Sequence, residues 1–532
     1  MEPGTTTPNG PTSTPGTDPS VVSRVVLWAC VLVLIAVPAR IIMYGYLPLD
    51  DALRHAAKAV SGKPWSEILV LGQPYSVDHN FGWELLLRWV HLGTQADAER
   101  LVDLSVLGLF VLFGCVPLIG LRRPEAWLGV LLLFAVAWPP LTTRLLIGRP
   151  LLVSSAVLLM LLCLGHRRDF APPRWPMIAA LSGLIAAAVF LHGVWYLWVL
   201  PVVAFGLARQ YAWTRALAAS WVVGTLVGAV LTGHPWDYLA EAVQTAWRAT
   251  ELHSTSRTLV SELQPASGGL LIFFVLGAML VLRRLTGIEA RALTADPAFW
   301  LAGLGWVLGF VARRFWEDWG LPALMVLAAG DVSRFLHERL TARSPRRLVV
   351  TACLAVALYG AVTSDTESRW TKSLTRQFLV ADDPDLAGWL PEREGIFYAA
   401  DPGFFYDTFF KNPTADWRYI LGFEMTLMPA EDFRILYRIL WNFGAAAAFQ
   451  PWVEKMRAED RLFVRGEAGN RPPSPGSNGT TPWEGCGAAG CHEQTRRRPA
   501  VTQRFRRRIL ETRGGGLQQP DLTTRSVGFR GF

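Results

Sequence analysis

Two adjacent carboxylates, Asp50 and Asp51, stand in the stretch YLPLDDALRHAAKAV (residues 46–60), directly after a long apolar run. Arg54, His55 and Lys58 follow, and Asp78 and His79 lie further along in the polar turn SVDHN. Clustered carboxylates can bind a divalent cation through hard oxygen ligands. Alternatively, one of them can take a proton from an acceptor hydroxyl or amine. The plainer role is helix capping, for which Asp is favoured, with i,i+4 surface contacts adding only ~0.3–0.5 kcal/mol. Two adjacent Asp together with Asp78 and His79 exceed what capping needs. A helix starting at these residues sets Leu53, Ala56, Ala57 and Val60 on one face and Arg54, His55 and Lys58 on the other. That pattern predicts an amphipathic helix on a membrane surface, and a second is expected over residues 81–91.

Two groups of arginines are candidates to meet an anion. Arg144 and Arg149 lie in PPLTTRLLIGRP, and Arg313 and Arg314 precede Glu317 and Asp318 in RRFWEDWG. Guanidinium groups match phosphate geometry well, and charge near membrane depth marks function by default. The structural alternatives are snorkelling to headgroups and pairing of the opposite charges within RRFWED. Trp195, Tyr196, Trp198, Trp316 and Trp319 can stack on sugar faces or, as is the usual reading for most such residues, form an interfacial belt. His192 in FLHGVWYLW reads as a hydrogen-bonded structural residue.

The elements that must position these groups are apolar helices. The chain has 532 residues, of which 51% are hydrophobic and 18% charged, with a mean hydropathy of +0.27. Soluble chains average roughly 25% charge. Apolar stretches recur at residues 25–46, 101–121, 126–141, 150–164, 177–192, 194–208, 216–232, 269–282, 299–312, 321–335 and 348–362. Several approach the ~20 residues that span hydrocarbon. The expected class is an all-α polytopic membrane protein with about 11 transmembrane helices. The short loops LRRPE, GHRRDFAPPRW, ARQYAWTR, LRRLTGIEAR and HERLTARSPRR are basic and all fall on the side of the N-terminus. The positive-inside rule makes that side the cytoplasm, and the expected location is a bacterial-type inner or plasma membrane. Loop 47–100 and everything after residue 363 then lie outside. The expected layout is a disordered cytoplasmic N-terminus (1–24) and a membrane domain (25–363). A small extracytoplasmic domain (364–465) and a disordered basic tail (466–532) complete it.

The tail carries most of the net charge of +8, so the overall basicity makes no case for nucleic acid. A solvated tail is the simplest reading, with anionic lipid as the alternative partner. Within it, WEGCGAAGCHEQ places Cys486 and Cys491 before His492. The usual c-type haem attachment signal is Cys-x-x-Cys-His; the wider spacing here resembles a rarer multihaem form. His492 alone offers one axial ligand, and nothing around it can bury a porphyrin. A local disulfide or a thiol pair is preferred over haem, and zinc lacks a fourth ligand. Cys30, Cys115, Cys163 and Cys353 read as small buried hydrophobes.

The cytoplasmic start, the long acidic loop straight after the first span, the number of spans and the outer C-terminal domain together resemble the GT-C glycosyltransferases. The resemblance covers residues 25–362 in layout rather than in letters. It implies transfer of a sugar from a polyprenyl-phosphate carrier to an acceptor on the outer face, with Asp50 or Asp51 in the position of the catalytic acid residue. Many members carry a second acidic motif between spans three and four; here that loop has no carboxylate. Metal binding by Asp50 and Asp51 is therefore open. Arg144, Arg149 and Arg313 instead become the expected phosphate ligands, and Glu317 or Asp318 would supply the missing acidic group. Two other readings stand beside this one. One is a non-enzymatic protein of envelope polysaccharide export or assembly, which would want polar or broken helices at mid-membrane, where Arg40 beside Pro38 is the clearest candidate. The other is a membrane-anchored protein with haem on its tail.

Overall fold

The structure is a computed structural model that describes residues 19–168, 170–250, 264–265, 269–287, 293–341, 344–391, 393–464 and 487–489. The chain is mostly helical. Each expected apolar stretch forms a helix, because long apolar side chains fill a shared interior and backbone groups must pair within the segment wherever water is absent. In chain order the helices are α1 (Pro19–Met43), α2 (Asp51–Ser61), α3 (Trp65–Ile68), α4 (Phe81–Thr94) and α5 (Ala98–Gly120). Then come α6 (Pro124–Ala137), α7 (Pro140–Leu145), α8 (Leu151–Arg167), α9 (Trp175–Leu191), α10 (Val199–Leu207), α11 (Tyr211–Val230) and α12 (Pro235–Thr250). Helices α13 (Leu271–Leu285), α14 (Pro297–Gly309), α15 (Leu321–Arg339) and α16 (Pro345–Thr363) complete the bundle.

Among the described residues, five helices are long and apolar enough to cross a membrane: Val21–Met43, Ala98–Gly120, Tyr211–Val230, Arg313–Arg339 and Pro345–Thr363. The fourth includes a π-helical turn, Trp316–Gly320, that runs into α15. Five more, among them α6, α8, α9 and α14, are apolar but shorter. Start signals are local and legible: Asp97, Asp296 and Ser344 each accept a hydrogen bond from a backbone N–H of the first turn of α5, α14 and α16. One continuous apolar core joins α1, α5, α6, α8, α9, α11 and α15. Cys30 and Cys163 are buried in it, whereas Cys353 is exposed on α16.

The last third is not all-helical. Strands β1 (Ile396–Ala399), β2 (Arg418–Tyr419), β3 (Arg461–Val464) and β4 (Gly487–Ala489) form one sheet in the order β2-β1-β3-β4, parallel except for β3 against β4. The all-α expectation misses this sheet because its strands are only two to four residues long. Helices α17 (Pro402–Lys411), α18 (Ala430–Trp441) and α19 (Gln450–Lys455) connect the strands.

Loop 47–100 docks on this sheet. Leu69 bridges in parallel to Tyr419, the Val70 N–H donates to the Tyr419 carbonyl (3.0 Å), and the Gly72 N–H donates to the Leu427 carbonyl (2.8 Å). A Cβ at Gly72 would stand 2.6 Å from the Met428 carbonyl oxygen, so only glycine permits this approach. Ala57, Trp65, Ile68 and Leu69 share one apolar cluster with Phe397, Phe405, Phe409, Trp417 and Tyr419. The first long loop and the C-terminal segment therefore have a common core.

Candidate functional site

Helix α2 begins at Asp51, with Asp50 in the N-cap position, but the Asp50 side chain makes no cap hydrogen bond. The capping role is thus not what either carboxylate does. Arg149 crosses from the turn before α8 and takes both: its Nε donates to Asp50 Oδ1 (3.0 Å), its Nη2 pairs with Asp50 Oδ2, and its Nη1 lies 3.4 Å from Asp51 Oδ2. Asp51 also accepts from the Tyr406 hydroxyl of α17 (3.1 Å) and from Arg54 Nε one turn on (3.3 Å).

The expected surface helix is corrected here. Its polar face is as buried as its apolar one: Arg54 and His55 are each 1% exposed. Burial of a charge requires partners, and they are present. Arg54 Nη1 donates to Asp78 Oδ2 (2.7 Å) and to Glu84 Oε1 (3.4 Å), while the Phe423 ring lies 3.9 Å from the guanidinium carbon. Arg54 Nη2 contacts His55 Nε2 (3.3 Å). A guanidinium only donates, so Nε2 accepts, and His55 Nδ1 carries the hydrogen that it donates to Glu84 Oε1 (3.2 Å). Asp78 also accepts from the Asn80 backbone N–H (2.7 Å).

These contacts pull the carboxyls apart in acidity. Burial pushes Asp51 up, but Arg149 and Arg54 outweigh it and hold the group well below the usual carboxylate range. Burial likewise opposes Arg54 and His79 at Asp78, and the cations prevail, leaving it at about 2. Glu84 goes the other way: burial and the neighbouring Asp78 push it well above its ordinary value. Burial and Arg54 keep His55 well below its ordinary value and hence neutral.

A second cluster stands beside the first. Arg144 Nε and Nη2 both donate to Asp318 Oδ1 (3.1 and 2.7 Å), and Glu317 lies 3.9 Å away. Arg314 approaches Asp318 at 3.7 Å and Arg313 approaches Glu317 at 3.8 Å, each one turn along the same helix. The charges of RRFWED therefore pair with each other and with Arg144. His79 connects the two clusters. Its ring lies 3.6 Å from Asp78, its carbonyl accepts from the Gly193 N–H (2.7 Å) and the Tyr238 hydroxyl (3.2 Å), and it responds electrostatically to Arg314. Between α8 and the π-helical turn, Ser154, Ser155, His192, Arg314 and Asp318 line a cavity of about 10 Å³, room for one water. His192 makes the expected structural hydrogen bond, to Ser154 (3.1 Å).

Of the residues chosen for chemistry, Asp50, Asp51, Asp78, His79, Arg144, Arg149, Arg314, Glu317 and Asp318 gather at one end of the bundle. Arg313 sits at the margin with its side chain 39% exposed. Trp198, Trp316 and Trp319 are neither belt nor sugar platform: all three are buried, and Trp198 meets Trp319 edge-to-face at 5.4 Å. Cys486, Cys491 and His492 lie outside the described residues. Among the described residues, no group of three or more His, Cys, Asp or Glu side chains is arranged to hold a metal ion. Asp50 and Asp51 face a guanidinium instead, so this pair does not fit a divalent cation as it stands.

Arg54, His55, Glu84 and Tyr406 are the site residues that sequence reasoning missed. For the first two the signal was present, since a helix beginning with paired Asp carries them on its next turn. No protein-family model matches the chain, and no curated protein is detectably similar to it.

Proposed function

We propose that the protein is an integral-membrane glycosyltransferase of the GT-C type, moving a sugar from a polyprenyl-phosphate carrier to an acceptor. In this reading the eleven apolar helical passes all traverse the bilayer, the N-terminus is cytoplasmic, and the C-terminal segment and loop 47–100 face outward. The observation that carries it is the meeting of Asp50 and Asp51 with Arg149, next to Arg144 and Arg314, at the end of the bundle where the first loop and the C-terminal segment share a core. Lipid-linked phosphate needs cations at the bilayer edge, and an acceptor hydroxyl needs negative charge to orient it.

Donor binding displaces part of the Arg149 and Arg144 pairing, and the freed guanidinium N–H groups take the phosphate oxygens. The acceptor oxygen attacks the anomeric carbon, the bond from that carbon to the phosphate oxygen breaks, and the electron pair leaves on the phosphate. The carboxylates of Asp50 and Asp51 draw the acceptor hydroxyl and balance positive charge developing at the anomeric carbon. Such preorganised charge is the largest single contribution in many enzymes. The test is transfer from a panel of radiolabelled polyprenyl-phosphate sugars by the purified protein in lipid nanodiscs. D50A and D51A, made singly, should express at wild-type level, and at least one should abolish transfer. Full activity in both variants overturns the assignment.

A further inference from the structure

The C-terminal segment brings one more carboxyl to this site. Residues 423–428 are pinned on both sides. The Phe423 ring lies against Trp65 (4.7 Å between centroids) and over Arg54, while Met425 and Met428 enter the apolar core. The Leu427 N–H donates to the Glu424 carbonyl (3.2 Å), and Leu427 in turn accepts from Gly72. Glu424, between two anchored neighbours, is partly buried, and no hydrogen bond reaches its carboxyl among the described residues. The charged and titratable groups that act on it electrostatically are Asp51 and Arg54 from α2, Tyr75 and Asp78 from the first loop, and Arg314 from the second cluster, and its chain neighbour Phe423 lies 3.9 Å from the Arg54 guanidinium carbon. It is therefore within electrostatic reach of both clusters at once.

We propose that Glu424 is the proton acceptor of this site: its carboxylate takes the proton that the acceptor hydroxyl loses as the new glycosidic bond forms. The proposal rests on the transferase reading above. The proton moves from acceptor oxygen to Glu424, the old carbon–oxygen bond breaks toward phosphate, and Glu424 later returns its proton to water. Geometry separates it from its neighbours. Asp50 is gripped at both oxygens by Arg149, and Asp51 is held by two guanidinium groups and a phenol. Against the opposing effect of burial, Arg149 and Arg54 hold Asp51 well below the usual carboxylate range, so it stays ionised and is a poor base. Burial, then Asp51, pushes Glu424 up to about 7. A base works best with a pKa near the operating pH, and carboxyls whose environments divide them in this way divide the acid–base roles.

The experiment has two independent arms. In the first, difference infrared spectra of the whole protein in nanodiscs, with and without E424Q, are followed between about pH 5 and 9. The wild type should lose a protonated-carboxyl band near neutral pH that E424Q lacks throughout. If no such band is assignable to Glu424, the proposal falls, whatever the protein catalyses. In the second, transfer is measured against pH. The wild-type rate should rise as pH climbs through about 7, following ionisation of Glu424. E424Q should lower kcat about 100-fold or more with little change in the donor KM, a size typical of losing a general base, and should abolish that limb; E424D should restore part of both. A wild type that transfers with an E424Q pH profile identical to its own overturns the Glu424 role alone. A wild type that transfers from no lipid-linked donor overturns the transferase reading and, with it, this role.

Discussion

The two ends of the bundle handle buried charge in different ways. At the end bearing the N-terminus of α6, Glu125 takes Arg347 through two hydrogen bonds (2.6 and 3.0 Å), and Arg347 reaches Ser23 (2.9 Å), tying α1, α6 and α16 together. At the same end, His166 meets Asp296 (2.6 Å) across α8 and the start of α14, and Arg283 meets Asp331 (2.7 Å) across α13 and α15. These are local contacts that bind helices to one another, with Arg334 also on Asp331 and Arg123 3.8 Å from Glu125, so that here cations match or exceed the carboxyls. The opposite end holds Asp50, Asp51, Asp78, Glu84 and Glu424 against Arg54 and Arg149, with Arg144 and Arg314 opposed by Glu317 and Asp318 beside them. There carboxyls outnumber cations, and single arginines serve several of them. Contacts between helices staple the bundle; a shared network with carboxyls in excess holds groups whose charge states depend on one another.

The largest effect that would test this contrast is at Arg54. R54M leaves Asp51, Asp78 and Glu84 buried around one lost cation, and removal of one partner from a buried ion network costs about 3–5 kcal/mol. Loss of monodisperse protein, or a steep fall in its thermal midpoint, is expected. E125L alone should cost a similar amount by orphaning Arg347, yet the double variant E125L/R347M should recover near-wild-type stability with transfer intact, because a stapling pair can be replaced by packed apolar groups. If transfer is lost in a stable double variant, the stapling role is wrong.

R149Q provides the counterpart. Its thermal midpoint should move by only a few degrees, since Arg149 is partly exposed, while transfer falls below detection. Asp51 loses its strongest opposing cation, so its carboxyl should titrate upward toward the ordinary range, measurable by the same infrared titration. For acid stability the sign follows from Asp78. Its folded value, about 2, lies below its ordinary 3.8. Its contribution is complete above about pH 4 and is lost as pH falls toward 2. D78N should therefore flatten the stability profile in that window. The smallest effect is Y406F, which removes one hydrogen bond to Asp51 and should cost roughly 0.5–1.5 kcal/mol, with transfer reduced rather than abolished.

The helices were legible because apolar stretches of this length announce themselves. The acidic pair and both arginine groups were legible because charge beside such stretches is conspicuous. Arg54 and His55 were misplaced for a physical reason: a polar helix face indicates only that something polar covers it. The cover here is Asp78, Glu84 and Phe423, and Phe423 lies far along the chain. Glu424 and Tyr406 carried no local signal, since each acquires its chemistry from α2. The short strands failed for a related reason: their pairing is long-range, and four apolar residues in a row do not separate strand from helix.

The backbone just after α1 is held by residues made much later. Ser373 donates to the Gly45 carbonyl (2.9 Å), Arg376 donates to the carbonyls of Pro48 and Leu49 while pairing with Asp407, and Tyr406 reaches Asp51 across 355 positions. At synthesis rates of roughly 5–20 residues per second, α2 emerges some 20 to 70 seconds before those partners exist. For that interval Arg54 lacks the Phe423 ring and Asp51 lacks the Tyr406 hydroxyl. The charge network around α2 is thus completed only after every helix of the bundle has been made, and a ribosome that stops before Tyr406 releases a bundle in which Asp51 lacks its phenol partner.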